Sequence, residues 1–266
     1  MKSKTPYPRI SVVLPVYNGE KYLNESVQSI LNQTLKDFEF IIINDSSTDN
    51  TLKIIKNYKK RDKRIILINN KINKGASESL NLGLEKANGK YIACFCADDI
   101  SHPKRLSIES NYLEKNPSIF LVGSSGIYID ENGKEIRRFR KYDNYRMLAW
   151  RLRKSCSIIF PSIMFRNEKI VFFNKYFGPA NDYNLYFELL KKRKNLTNLP
   201  NFLVKIRVHR NSMSIYANKE QENSMNMILE KFKKLKENVG FFEKIYYSLL
   251  LLFHYVKTIN EKRIIK

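Results

Sequence analysis

Four apolar runs separated by segments of helical periodicity dominate the first hundred residues of this chain. The runs cover residues 9–17, 38–45, 64–69 and 91–96, and apolar residues between them recur at three- and four-residue spacing. Continuous apolar strands that alternate with helices are typical of a parallel sheet covered on both faces. We therefore predict a three-layer α/β/α fold with right-handed crossovers.

The second half of the chain changes pattern. A helix is predicted to open at His102-Pro103, and residues 118–139 indicate a strand and hairpin with Asn132-Gly133 as the turn. Further helices are predicted near 142–154 and 182–193, and further strands near 157–165 and 202–208, so the sheet should be mixed. From residue 218 the sequence is helical and rich in lysine. We predict one domain over residues 1–217 and a C-terminal helical extension over 218–266.

The net charge is +22, from 48 Lys and Arg against 26 Asp and Glu. This excess favours a polyanionic partner, such as nucleic acid, an anionic membrane surface or a phosphorylated substrate. A Lys-, Asn- and Ile-rich composition accounts for the charge equally well, so charge alone decides little.

The cysteines and the hydropathy pattern indicate a compartment. The three cysteines, Cys94, Cys96 and Cys156, contain no CxxC pair and no metal spacing, which favours a reducing environment. We find no signal peptide and no apolar stretch of the roughly 20 residues that a spanning helix needs. A cytoplasmic protein is expected.

Polar and aromatic residues follow the predicted strands, where the carboxyl ends of parallel strands meet at one edge and ligands bind. They are Pro15, Tyr17, Asn18, Asp45, Lys74, Asp98 and Asp99. An aromatic face, carboxylates and a cation suit a nucleotide together with a divalent metal. Each residue alone also has a simple structural interpretation as a cap or turn. Their occurrence in order, each after a buried strand, favours a binding site.

Three stretches resemble the family 2 glycosyltransferases: "SVVLPVYNGEKYLNESVQSILNQTLKDFEFIIINDSSTDNT", "NKGASESLNLGLEKANGKYIACFCADD" and "PANDYNLYFELL". The resemblance is strong over residues 10 to about 110 and patchy to about 214. It implies an inverting enzyme with the GT-A fold that uses a nucleotide-diphosphate sugar, with a UDP-sugar favoured. Residues 1–100 would bind the nucleotide sugar, and residues 101–217 would form the acceptor side.

The resemblance also implies roles for matching residues. The nucleotide would be bound by Pro15, Val16, Tyr17, Asn18, Asp45, Lys74 and Asp98, with Asp45 accepting the imino N–H of the base. Asp99 would bind Mn²⁺ or Mg²⁺, Asp182 would act as catalytic base, and His209 would ligate the metal or diphosphate.

Three residues depart from the family pattern. Cys96 and Asn181 stand where acidic residues are common, and Phe160 stands where histidine is frequent. These departures leave the metal shell and the substrate contacts near Asp182 open.

Residues 241–266 form an amphipathic, lysine-flanked segment. It suits peripheral contact with the cytoplasmic face of a membrane, or packing on the domain or on a second copy in a homodimer. Membrane contact would fit a lipid-linked or other glycan acceptor in bacterial cell-surface polysaccharide synthesis.

Two other classes remain open. A sugar nucleotidyltransferase can share the fold, but usually carries a Gly/Arg/Lys-rich loop after the first strand, which "LPVYNGEKYL" lacks. A nucleic-acid-binding protein would suit the charge, but no recognition motif is present, so we predict no nucleic-acid partner.

Overall fold

The computed structural model describes residues 7–140, 144–210, 212 and 218–237. The strands are β1 Ile10–Val16, β2 Phe38–Asn44, β3 Ile65–Asn69, β4 Tyr91–Cys94, β5 Ile100–Ser101, β6 Ile119–Ile129, β7 Glu135–Phe139, β8 Met164–Arg166 and β9 Asn195–Arg207. The helices are α1 Leu23–Leu31, α2 Thr51–Arg61, α3 Ala76–Lys86, α4 Arg105–Lys115, α5 Tyr145–Leu152, α6 Asn181–Lys191 and α7 Asn218–Glu237. Short 3-10 turns cover Phe160–Ser162 and Lys175–Ala180.

The strands within the described residues form one mixed sheet in the order β3-β2-β1-β4-β8-β6-β9-β5, with β7 paired to β6. The first four are parallel, and Ile10 lies opposite both Phe38 and Tyr91. β8 runs antiparallel between β4 and β6, whereas β6 and β9 are parallel. The parallel half therefore ends with its carboxyl edges side by side, as the alternating pattern predicts.

Helices cover both faces of the sheet. Because strand side chains alternate, Val12 and Leu14 pack with α1, α2 and α4, whereas Val13 packs with α3, α5 and α6. Phe232 of α7 joins the second layer through an edge-on contact with Phe187, with ring centroids 4.6 Å apart. The predicted three-layer α/β/α architecture is confirmed.

The structure differs from the sequence-based expectations in the second half. Most of the strand predicted over 157–165 is irregular and contains a 3-10 turn at Pro161, a residue that cannot donate to a strand ladder. β9 begins at Asn195, ahead of the predicted 202. The amphipathic segment 241–266 lies outside the described residues. Among those that are described, no helix is both long and apolar enough to cross a bilayer.

Candidate active site

Asp45 lies just past β2 and is almost fully buried, with 3% of its surface exposed. Its Oδ1 accepts hydrogen bonds from Asn70 Nδ2 at 2.7 Å and from the backbone N of Lys74 at 2.9 Å, and Oδ2 accepts from the backbone N of Gly75 at 2.8 Å. Gly75 adopts φ +82°, a conformation that favours glycine. A carboxylate offers about four acceptor positions, so Asp45 can accept one further donor.

Asn18 connects the loops that follow β1 and β2. Its Oδ1 accepts from the backbone N of Thr48 at 2.8 Å, and its own backbone N donates to Ser47 Oγ at 3.0 Å. The Asn18 backbone has φ +49°, which asparagine tolerates better than most residues. The predicted nucleotide-binding residue thus fixes the two loops against each other at the sheet edge.

The remaining residues predicted after β1 and β3 lie at the same edge. Val16 is buried and Pro15 half-buried, whereas the Tyr17 side chain is 52% exposed. The Lys74 side chain is also exposed, although its backbone N–H is held by Asp45. Tyr17 therefore presents an aromatic surface to solvent near a buried acceptor.

The carboxylate pair after β4 divides into a buried and a partly exposed member. Asp99 is 3% exposed, and its Oδ1 accepts from the backbone N of Arg207 at 2.9 Å. The Asp98 side chain is 32% exposed, and its Oδ2 lies 3.0 Å from His209 Nε2. The imidazole in turn contacts the Tyr22 ring in a tilted arrangement, with centroids 5.0 Å apart and an angle of 43° between the ring planes. His209 therefore contacts the Asp98 member of the carboxylate pair.

The guanidinium of Arg207 holds the loop after β4 in place. It donates to the backbone oxygens of Asp98 at 3.0 Å and Glu131 at 3.1 Å, and forms an ion pair with Glu25. The Arg207 side chain is 2% exposed. The guanidinium is thus directed at these groups, and Arg207 donates to the Asp99 carboxylate through its backbone N–H.

Cys96, Asp98 and Asp99 form a group with metal-ligating character. One ligand atom from each lies within 4.8 Å of the others, the one such group among the described residues. Burial, followed by the Asp98 charge, raises the pKa of Asp99 well above its usual range. Burial and the two carboxylates likewise raise the pKa of the Cys96 thiol. The electrostatics of the group therefore favour a bound cation.

Asp182 lies in the first turn of α6. Its Oδ1 accepts from the backbone N of Tyr183 at 2.7 Å, and Oδ2 lies 3.9 Å from Cys156 Sγ. Burial raises the pKa of Asp182 from 3.8 to about 6. The carboxylate is therefore mostly ionised at neutral pH, yet remains basic enough to take a proton.

Two tyrosines lie between Asp182 and the carboxylate pair. Among the described residues the buried Tyr186 hydroxyl has no hydrogen-bond partner, and its pKa is raised by burial and then by Asp182, with smaller increases from Cys156, Cys94 and Cys96. Burial also raises the pKa of Tyr128, with smaller increases from Asp99 and Cys156. Asp182 and the Asp99 group are therefore connected through intermediate residues, with Tyr186 near Asp182 and Cys96, and Tyr128 near Asp99 and Cys156.

Two of the departures from the family pattern have structural partners. The Asn181 side chain donates to Ser77 Oγ at 2.6 Å, which joins the start of α6 to α3. Phe160 packs edge-on against Phe173 with centroids 5.7 Å apart. Neither residue replaces a missing carboxylate.

Several residues that sequence analysis did not single out support this arrangement, namely Glu25, Asn70, Cys156 and Tyr186. The order of the strands gives no signal for them because each acts through a contact with a distant segment. Glu25, for example, acts through its ion pair with Arg207, and Arg207 is itself 109 positions from the Asp98 that it holds.

Comparisons with known proteins identify the family. The Glycosyl transferase family 2 profile matches residues 11–172. An uncharacterized glycosyltransferase of Methanocaldococcus jannaschii is 35% identical over 261 residues, 94% of this chain and 90% of the relative. The O-antigen biosynthesis glycosyltransferase WbnJ of Escherichia coli is 33% identical over 208 residues, 76% of this chain and 81% of WbnJ.

Solved structures show the same fold at lower identity. S. aureus TarS in complex with UDP-GlcNAc has a TM-score of 0.67 at 18% identity, covering 83% of this chain and 65% of TarS, slightly under two thirds of that chain. The mannosyltransferase PcManGT of Pyrobaculum calidifontis, with GDP-Man and Mn²⁺, has a TM-score of 0.61 at 14% identity, covering 96% and 81%. These likenesses identify the GT-A fold. Together with the sequence matches, they show that this chain is an enzyme and a member of glycosyltransferase family 2.

Proposed function

We propose that the protein is an inverting glycosyltransferase that moves a sugar from a UDP-sugar to a hydroxyl of a glycan or lipid-linked acceptor in bacterial cell-surface polysaccharide synthesis. One observation carries the proposal. The Asp98–Asp99 pair and Asp182 come from different segments, and intermediate residues connect them: Tyr186 lies within electrostatic range of Asp182 and Cys96, and the Cys96 sulfur lies within 4.8 Å of a carboxylate oxygen of Asp98 and of Asp99. A direct displacement needs a charge-stabilising site and a base on separate segments.

The nucleotide binds at the carboxyl edge of β1, β2 and β3. The base stacks on the exposed Tyr17 ring, and the free acceptor position of Asp45 takes its imino N–H. Lys74 is in the loop that follows β3, and its exposed, positively charged side chain suits the negative charge of the diphosphate. TarS is solved with UDP-GlcNAc and PcManGT with GDP-Man, which supports a nucleotide-sugar donor and makes GDP the comparison nucleotide.

The residues at the carboxylate pair fit a divalent cation. Asp99 is buried beside a second carboxylate, and burial together with the Asp98 charge raises its pKa more than the nearby Arg207 charge lowers it. Asp99 would bind Mn²⁺ or Mg²⁺. Asp98 would contact the ribose or sugar, and His209 contacts the Oδ2 oxygen of Asp98. The ion, when bound, neutralises charge on the departing diphosphate.

Asp182 acts as the general base. The acceptor hydroxyl oxygen forms a bond to the anomeric carbon, the bond from that carbon to the diphosphate oxygen breaks, and the hydroxyl proton passes to Asp182. A single displacement of this kind inverts the configuration. General-base catalysis is worth about 10²- to 10⁴-fold in rate.

The acceptor and location are also part of the proposal. WbnJ, named for O-antigen biosynthesis, supports a role in cell-surface polysaccharide. A lipid-linked acceptor would suit peripheral contact of residues 241–266 with the cytoplasmic face of the membrane.

Binding and turnover should separate the two carboxylate sites. Thermal shift with a panel of UDP- and GDP-sugars plus Mn²⁺ identifies the donor, because ligand binding raises stability by mass action. Asp182→Asn should bind that donor with normal affinity, but its rate of UDP release should fall by about 10²-fold or more. Asp99→Asn should lose Mn²⁺-dependent donor binding. Equal loss of binding in both variants would contradict the division of roles.

A further inference from the structure

Cys96, two residues past the end of β4, has different surroundings from Cys94, the last residue of that strand. Cys94 is fully buried and packs in an apolar cluster. The Cys96 side chain is half-buried, and its sulfur lies within 4.8 Å of a carboxylate oxygen of Asp98 and of Asp99. Ser26 Oγ donates to the backbone oxygen of Cys96 at 2.8 Å, which fixes the residue at the end of the strand. The thiol is thus held toward the carboxylates.

The spacing suits coordination of one ion by all three side chains. Metal–sulfur bonds are about 2.3 Å and metal–oxygen bonds about 2.0–2.2 Å, so two ligands of one ion lie at most about 4.5 Å apart. The Cys96 sulfur and one oxygen each of Asp98 and Asp99 already lie within 4.8 Å of one another. Three ligands of one ion lie at angles of about 90–110° to one another, which places their atoms about 3.0–3.6 Å apart, so side-chain movements of about 1 Å bring this group into range.

We propose that Cys96 binds the divalent cation of the donor site as a thiolate alongside Asp99, and that this sulfur ligand shifts the site toward borderline ions such as Co²⁺ and Zn²⁺ relative to Mg²⁺. The inference rests on the proposed function, since the ion is the one that accompanies the nucleotide. Sulfur ligands select softer ions, whereas Mg²⁺ takes oxygen ligands. The metal–sulfur bond replaces the S–H bond, and the thiol proton goes to the buffer.

A spectroscopic titration tests the bond directly. Metal-free full-length protein is titrated with Co²⁺, with and without UDP, while the near-ultraviolet sulfur-to-cobalt charge-transfer absorption is recorded. The wild type should develop this band, and Cys96→Ser should lack it. Cys156→Ser is the matched control, because Cys156 is also half-buried but lies beside Asp182, and it should keep the band.

Calorimetry tests the selectivity. The ratio of Co²⁺ to Mg²⁺ affinity, with UDP present, should fall by about 10-fold or more in Cys96→Ser. Cys96→Asp should also lower the ratio while retaining Mg²⁺ binding, because it replaces sulfur with oxygen. Cys96→Ala provides a second sulfur-free variant if the serine variant folds poorly.

The outcomes separate this inference from the proposed function. A wild type that binds Co²⁺ with UDP but shows no sulfur band, or a Cys96→Ser variant that keeps the band, refutes the thiolate ligand and leaves metal-assisted transfer standing. A wild type that binds neither Co²⁺ nor Mg²⁺, even with UDP, refutes both.

Discussion

The substitution Asp182→Asn should abolish turnover and, at alkaline pH, make the protein more stable. Burial raises the pKa of Asp182 from 3.8 to about 6, so the ionised form is less favourable in the folded chain than in the unfolded chain. A tenfold change in proton affinity is worth about 1.4 kcal/mol, so this difference corresponds to about 3 kcal/mol. Solvent reaching the half-buried carboxylate reduces the expected gain to about 2 kcal/mol.

The sign of the effect follows from proton binding. A raised folded-state pKa means that the folded protein holds the proton more tightly, so its stability falls as pH rises from about 4 through about 6. Asparagine carries no charge, and its oxygen can still accept the 2.7 Å hydrogen bond from Tyr183 N. The gain of Asp182→Asn should therefore be present at pH 8 and disappear near pH 4.

Urea unfolding of both proteins at pH 8 and pH 4 measures the difference. Asp62→Asn is the control of opposite sign, because the Arg64 ion pair at 2.6 Å lowers the pKa of Asp62. That ion pair stabilises the fold at neutral pH and is lost as pH falls, so Asp62→Asn should be less stable than wild type at pH 8. A loss of stability in Asp182→Asn at pH 8, or an equal difference at both pH values, would contradict the electrostatic account of Asp182.

Three further predictions concern the same site. At saturating donor and Mn²⁺, the pH profile of UDP release should fall about tenfold per pH unit below pH 6, because Asp182 gains a proton; a flat profile from pH 7 to 5 would argue against this base. Arg207→Lys should lower the free energy of unfolding by about 3 kcal/mol and the Mn²⁺-dependent affinity for UDP by about 10-fold. The reason is that a lysine cannot reach both the backbone oxygens and Glu25. Unchanged UDP affinity in calorimetry would exclude a positioning role for Arg207. Tyr186→Phe should raise the unfolding free energy by about 1 kcal/mol, because the buried hydroxyl has no partner among the described residues; a destabilised variant would contradict this account of the hydroxyl.

Sequence reasoning was most successful where the signal is local. Strands β1 to β4 and the helices between them follow from apolar periodicity, and their shared direction places Asp45, Asp98 and Asp99 at one edge. A continuous apolar run with polar residues directly after it is sufficient for this inference.

The features that escaped prediction depend on distant pairing. The two-residue β5 is a strand only because it pairs with β9, and β8 is shortened by the turn at Pro161. Cys156 has no sequence pattern that connects it to Asp182, 26 positions away. Its importance arises from packing, which periodicity does not encode.

The configuration of the transferred sugar tests the central claim most directly. Wild-type protein is incubated with the donor identified by thermal shift, Mn²⁺ and methanol, which traps the sugar as a methyl glycoside that cannot change anomer. The product is then read by NMR from its anomeric proton. Direct displacement with Asp182 as base predicts a β-methyl glycoside from an α-linked donor. An α-methyl glycoside would contradict inverting transfer and the role of Asp182 with it.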